Sequence, residues 1–237
     1  MADSTLLENR LQAVEDADSS QGMIDAVEAL AELQDEGAIE MLIRVLGYNN
    51  PGAAVAAVDG LIQLGTPAAS ALLDQIDGYN YGARAWALRV LAGIGDPRGL
   101  DLVLETAAED FSLSVRRAAA RGLGFIQWEK LAATERQKAQ TRARDALLQV
   151  VAADPEWVVR YGGVVGLQGV ATAAMESGFD ELVGEIAKTL SDRVENDETP
   201  AVRARAQWAI AQISELPKTH QPRTNQPRTN QPRTNQS

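Results

Sequence analysis

Cysteine is absent from all 237 residues. That excludes disulfides, thiolate-bound zinc, iron–sulfur clusters and a thiol nucleophile together, and it fits a reducing cytoplasm. Histidine is almost absent: the only one, His220, falls in a C-terminal run that reads PKTHQPRTNQPRTNQPRTNQS. No Ser-His-Asp triad, Cys-His pair or histidine-rich metal site can therefore be assembled, and no metal is expected. Long apolar runs are missing too, since no window approaches 18 apolar residues, so no membrane insertion is expected. The N-terminal MADSTLLENRLQAVEDADSS is acidic and lacks the apolar stretch of a signal peptide. Positive charge is scarce: up to position 216 there are 18 basic against 33 acidic residues, a net −15. A nucleic-acid partner is not expected from such a field.

What is present is an internal repeat. Six segments carry a small residue four positions before Leu or Ile, with another aliphatic residue three positions further on. They are Ala26–Leu30–Leu33, Ala57–Leu61–Leu64, Ala87–Leu91–Ile94, Ala119–Leu123–Ile126, Gly163–Leu167–Val170 and Ala206–Ile210–Ile213. The steps between the Leu or Ile positions are 31, 30, 32, 44 and 43 residues. Spacings of three and four mark one face of a helix, with the small residue at a close helix crossing. A second helical pattern lies between successive marked helices, as in AIEMLIRVLG at 38–47 and PAASALLDQIDG at 67–78. Asp96-Pro97 and Thr66-Pro67 read as N-caps followed by proline at the first helical position. Gly47, Gly65, Gly78 and Gly95 fall where helices should stop. Alternating apolar runs are absent, so no strands are expected.

The pattern predicts an all-α fold, an α-solenoid of about six HEAT-like helical hairpins wound into a curved superhelix. Its organisation is an acidic lead-in over 1–20, the repeat solenoid over 21–216, and a disordered QPRTN-repeat tail over 217–237. The longer fourth step predicts a long helix from about Glu129 to Ala153.

Aligned on the repeat, Arg84, Arg116, Arg160 and Arg203 occupy one position in four consecutive second helices. Two readings of this ladder stand side by side. Each arginine either pairs with a carboxylate of an adjacent repeat, such as Asp110, Asp154 or Glu198, or faces an anionic ligand on the inner surface. Aromatics number only 11, and most cluster near these arginines. Tyr79, Tyr81 and Trp86 flank Arg84 and Arg89; Phe111 precedes Arg116, Arg117 and Arg121; Trp157 and Tyr161 flank Arg160. Guanidinium forks with ring faces suit a flat, conjugated, anionic ligand, and equally a partner-protein surface.

NNPGAAVAAVDGLIQLG, the run GYNYGARAWALRVLAGIGDPRGLDLVLETAAEDFSLSVRRAAARGLGFIQW and the repeat register together resemble the HEAT-repeat phycobilisome lyases. The likeness runs from about Leu33 to Leu216, with its most specific block between Tyr79 and Trp128. It implies a lyase subunit that helps attach phycocyanobilin, through a thioether, to a cysteine of the phycocyanin α-subunit. It also implies a heterodimer with a longer homologous subunit, and a cytoplasmic setting in a cyanobacterium or the stroma of a chloroplast. Phycocyanobilin is then a substrate, and no permanently bound cofactor is implied.

The related lyase-isomerases are similar proteins with a motif of histidine and cysteine, which this sequence lacks. On the resemblance, Arg84, Arg89, Arg116, Arg117 and Arg160 would hold the bilin propionates. Tyr79, Tyr81, Trp86, Trp157 and Tyr161 would fix its conformation, and Asp59 or Asp110 would bond the pyrrole N–H groups. The competing reading is a non-catalytic HEAT-repeat adaptor or chaperone for bilin or phycobiliprotein.

Overall fold

The computed structural model describes residues 2–75 and 81–215. The QPRTN tail and Tyr79 lie outside the described residues, as does the side chain of Tyr81. Among the described residues there are twelve α-helices and no strand. They pair as six hairpins: α1 (Ala2–Glu15) with α2 (Ser20–Ala31), α3 (Ile39–Val45) with α4 (Pro51–Leu64), and α5 (Thr66–Gln75) with α6 (Tyr81–Ile94). The second half continues with α7 (Leu100–Glu109) and α8 (Leu113–Gly122), α9 (Ala133–Ala153) and α10 (Trp157–Glu176), and α11 (Asp180–Asn196) and α12 (Pro200–Glu215). The even-numbered helices stack on one another in chain order, and α3 lies beside α5, α7 beside α9, and α9 beside α11. This two-layer array is the expected solenoid.

The repeated leucines form the layer between helices. Leu30, Leu61, Leu91, Leu123 and Leu167 are all buried, each contributing roughly 1.5–3 kcal/mol by leaving water. Ile210, the sixth of the series, is only half-buried. Among the described residues no further repeat follows α12 to cover it.

The acidic lead-in is itself a helix. Residues 2–15 form α1, whose Val14 is buried and whose Leu7 and Leu11 pack against the core, so it serves as the first helix of the first hairpin. Helix α9 starts at Ala133 rather than near Glu129, because residues 128–130 form a separate 3₁₀ turn. Thr66 does not cap α5: the helix follows directly on Gly65, and the Thr66 hydroxyl accepts a hydrogen bond from Lys130 Nζ at 2.7 Å. Asp96 does act as expected, accepting from the Arg98 main-chain N–H and pairing with its guanidinium at 2.8 Å.

One close crossing shapes the site. Helix α8 ends at Gly122 and tightens into a 3₁₀ turn over Leu123–Phe125. There the backbones of Gly124, Gly166 and Gly169 meet: a Cβ on Gly166 would lie 2.3 Å from the Ala120 carbonyl oxygen, and one on Gly169 2.1 Å from that of Gly124. Gln127 then ties the segment to the end of α6, its main-chain N–H donating to the Gly95 carbonyl at 2.8 Å and its side-chain amide to Ile94 at 2.7 Å. Gly95 has φ +70°, and a Cβ there would meet the Phe125 carbonyl oxygen at 2.2 Å. Only glycine suits that turn, and the turn holds Phe125 at the inner surface.

Candidate functional site

The arginine ladder is a structural brace over its last three rungs. Arg116 Nη1 donates to the carbonyls of Asp110 and Phe111, while its Nε reaches the Asp154 carboxylate at 2.8 Å. Arg160 repeats the pattern one hairpin on, with the carbonyls of Asp154 and Pro155 and the carboxylate of Asp197. Glu198 takes a further bond from Arg160 Nη2 at 3.1 Å. Arg203 Nη1 donates to the carbonyls of Asp197 and Glu198. Each turn aspartate in turn accepts from a main-chain N–H two residues on: Asp110 from Ser112, Asp154 from Glu156, Asp197 from Thr199. The aspartate thus closes its own turn, and in Asp154 and Asp197 it also receives the arginine of the preceding hairpin.

Hydrogen bonding to Asp154 and to Asp197 raises the Arg116 and Arg160 guanidinium pKa values further above their ordinary value. Burial pushes the Asp197 carboxyl up, but the Arg160 guanidinium and the Thr199 N–H outweigh it and hold the group below the ordinary carboxylate value. Arg116 and Arg160 are therefore engaged within the scaffold. Asp110 sits with Arg116 at a hollow between α7 and α9, away from the inner face. Arg84 is half-buried in the first turns of α6 and does not line the inner cleft.

The inner face carries the other expected residues. A cleft of about 680 Å³ opens across α4, α6 and α8, lined by Val58, Ile62, Trp86, Arg89, Gly93, Ser114, Arg117, Ala118, Arg121 and Phe125 among others. A cleft spanning three successive helices makes this layer concave. Its volume falls within the roughly 300–1,000 Å³ usual for small-molecule sites. Arg89 lies over the Trp86 ring at 4.3 Å and donates to the Ser114 hydroxyl at 2.7 Å. Arg121 lies over the Phe125 ring at 5.8 Å, and Phe125 is 52% exposed. Arg117 and Arg121 make no ion pair among the described residues. Asp59 is exposed, one residue from Val58 and three from Ile62, so α4 presents it at the cleft margin.

Beyond Phe125 the groove continues into a second cleft of about 560 Å³, lined by residues of α10 and α12 including Gln168, Glu176, Arg205 and Trp208. Tyr161 sits with Arg205 and Trp208 in a shallower hollow beside it, and Trp157 is exposed at the start of α10. The structure thus brings together Trp86, Arg89 and Arg117 with Asp59 at their margin, and sets Tyr161 further along. Sequence reasoning does not single out Phe125, Arg205 and Trp208, and it notes Arg121 only as an arginine following Phe111. The signal that could have found them is an arginine three or four residues from an aromatic, repeated on α6, α8 and α12. Among the described residues no group of three or more His, Cys, Asp and Glu side chains could hold a metal ion.

Fold and inner groove define the class of protein: residues 69–168 match the HEAT repeats family, and the two helical layers are those of a HEAT-repeat solenoid. Among similar proteins, the phycobilisome maturation protein of Synechococcus elongatus is 52% identical over 199 residues, covering 84% of this chain and 94% of that one. The phycocyanin alpha phycocyanobilin lyase CpcF of Synechocystis sp. is 49% identical over 210 residues, covering 89% of this chain and 95% of that one. The complex of CpcE and CpcF of phycocyanin lyase from Nostoc sp. superposes with a TM-score of 0.65 at 47% identity, over 74% of this chain and 99% of the matched chain. The chain belongs to the family of phycocyanobilin lyase beta subunits.

Proposed function

We propose that this chain is the shorter subunit of a heterodimeric lyase that attaches phycocyanobilin to the phycocyanin α-subunit, and that the groove around Trp86, Arg89, Arg117, Arg121 and Phe125 holds the bilin. Family membership supports the reaction and the partnership. The observation that carries the site is the presence of two guanidinium groups without carboxylate partners, Arg117 and Arg121, in a concave cleft with stacked Trp86 and an exposed Phe125. Other arginines of this acidic chain do have carboxylate partners, as Arg44 has Glu15 and Arg142 has Asp101.

The chemistry needs no nucleophile from this subunit. The S–H bond of the acceptor cysteine adds across the exocyclic ethylidene C=C of the bilin. Sulfur bonds to the exocyclic carbon, the proton goes to the ring carbon, and no oxidant is consumed. The subunit contributes positioning and charge. Arg117 and Arg121 bind propionate carboxylates, Trp86 and Phe125 present ring faces to the conjugated system, and Asp59 at the margin bonds the pyrrole N–H groups. Burial against these faces limits the bilin conformations open to unselective addition. The cyanobacterial relatives and the thiol chemistry support a cytoplasmic setting for the reaction.

The test is reconstitution of phycocyanobilin, apo-phycocyanin α-subunit and both lyase chains, reading covalent bilin after denaturation. Attachment that needs both lyase chains and falls with Arg117→Gln supports the reading. Bilin transfer unchanged by a folded Arg117→Gln overturns the site. Attachment no faster than the spontaneous reaction overturns the activity and leaves an adaptor.

A further inference from the structure

The second half of the groove has an arginine that nothing above uses. Arg205 rises from α12 with its guanidinium carbon 4.6 Å from the centroid of Trp208, a ring that is 53% exposed. Its Nη2 donates to Gln168 Oε1 at 2.7 Å, which fixes the plane of the fork. Its Nη1 is enclosed by the protein and has no hydrogen-bond partner. Glu129 and Glu176 are the two carboxylates lining this cleft, and neither pairs with it. A buried charged donor without an acceptor is costly, and structures rarely keep one without a use.

Arg121 adds to that cost. It lines the first cleft beside Phe125, and its positive charge bears on Arg205: burial holds the Arg205 guanidinium below its ordinary value, Tyr161 acts in the opposite direction, and the like charge of Arg121 adds a smaller push downward. Phe125 lines both clefts, so the two adjoin with that ring at the saddle between them. The groove therefore carries Arg117 and Arg121 on one side of the saddle and Arg205 on the other, without compensating ion pairs. A ligand with two carboxylates on one conjugated frame can meet cations on both sides of Phe125, whereas a monoanion leaves one side unneutralised.

We propose that Arg205, oriented by Gln168 and Trp208 and facing Arg121 along the groove, is a second carboxylate subsite that takes the bilin propionate Arg117 does not hold. This rests on the reading of the groove as the bilin site.

The probe pair is phycocyanobilin and its dimethyl ester, which has the same conjugated frame and no carboxylate charge. Each is titrated into the complex of both lyase chains carrying wild-type, Arg205→Gln, Arg205→Lys or Arg117→Gln shorter subunit. Loss of one charged hydrogen bond corresponds to roughly a ten- to hundredfold weakening. The expected result is that weakening for the diacid with Arg205→Gln, no change for the diester, and partial recovery with Arg205→Lys. A diacid affinity equal to wild type in Arg205→Gln, with Arg117→Gln still weakened, overturns this subsite and leaves the bilin site standing. Equal weakening for diacid and diester makes Arg205 a support for Trp208 and overturns the subsite as well. Failure of the wild-type complex to bind either bilin overturns the subsite and the bilin site together.

Discussion

Replacing Arg160 by Ala separates a scaffold role from a ligand role for the ladder. The Arg160 side chain is 7% exposed and its partner Asp197 is 1% exposed, so the substitution leaves a carboxylate buried without its countercharge. It also removes the donor to the carbonyls of Asp154 and Pro155. Breaking a buried pair from one side costs about 3–5 kcal/mol. For a chain of this length, each kcal/mol moves the melting midpoint by roughly 2–4 °C, so a drop of about 6–20 °C is expected at pH 7. The pH dependence gives an independent check. The folded pKa of Asp197 is depressed, so its stabilising contribution is fully present above the ordinary value of 3.8 and is lost as pH falls through the lower folded value. Wild type therefore loses this contribution on acidification below 3.8, whereas Arg160→Ala, already without it, shows a flatter acid limb. Urea unfolding of both proteins across that range measures it. A midpoint unchanged at pH 7, or acid limbs that superpose, refutes the structural reading of Arg160.

Other substitutions probe the crossing and the groove. Gly166→Ala puts a Cβ 2.3 Å from the Ala120 carbonyl oxygen, where backbone must move, so a loss of about 1–3 kcal/mol in urea unfolding is expected. Arg117→Gln, exposed and without an ion pair, should leave the urea midpoint within about 0.5 kcal/mol of wild type while slowing bilin attachment. Asp59→Asn should likewise fold as wild type and lower the attachment rate by about tenfold, the worth of one charged hydrogen bond. Trp86→Leu should weaken bilin binding and release Arg89 from its stacked position, read as lost quenching or shift in bilin fluorescence on titration.

The repeat architecture was legible because it is written in period and residue size. Ala57, Ala87 and Ala119 mark helix crossings, and the leucines four residues later are the buried layer. The lead-in was less legible, since α1 is weakly amphipathic and its helix is recognisable mainly from what it packs against. The early end of α8 depends on Gly124 meeting Gly166 across 42 positions of sequence, a contact no local pattern contains. The site was half legible. Trp86, Arg89 and Arg117 were recognised by type and position, but their separation from Arg84, Arg116 and Arg160 is a matter of helical face. Arg116 and Arg117 are neighbours in sequence, yet the first points along the turn to Asp154 and the second into the cleft.

That one-residue difference expresses a division that runs through the protein. An arginine one turn into a second helix can reach back to the two carbonyls of its entry turn and forward to the next aspartate, so it braces the stack and is neutral in effect. Further along the same helix, Arg117 and Arg121 have no ion pair among the described residues. Both line the cleft on the inner face, together with Val58, Ile62 and Gly93. The repeat thus generates a braced rim and an uncompensated groove from the same residue type. On a chain of net charge −11, a patch of unpaired guanidinium groups also concentrates an anionic ligand at the groove rather than elsewhere on the surface. In the proposed function, a subunit with no nucleophile needs no more than this to steer an addition: it would hold the electrophile by its carboxylates and leave the exocyclic carbon free for another protein's thiol.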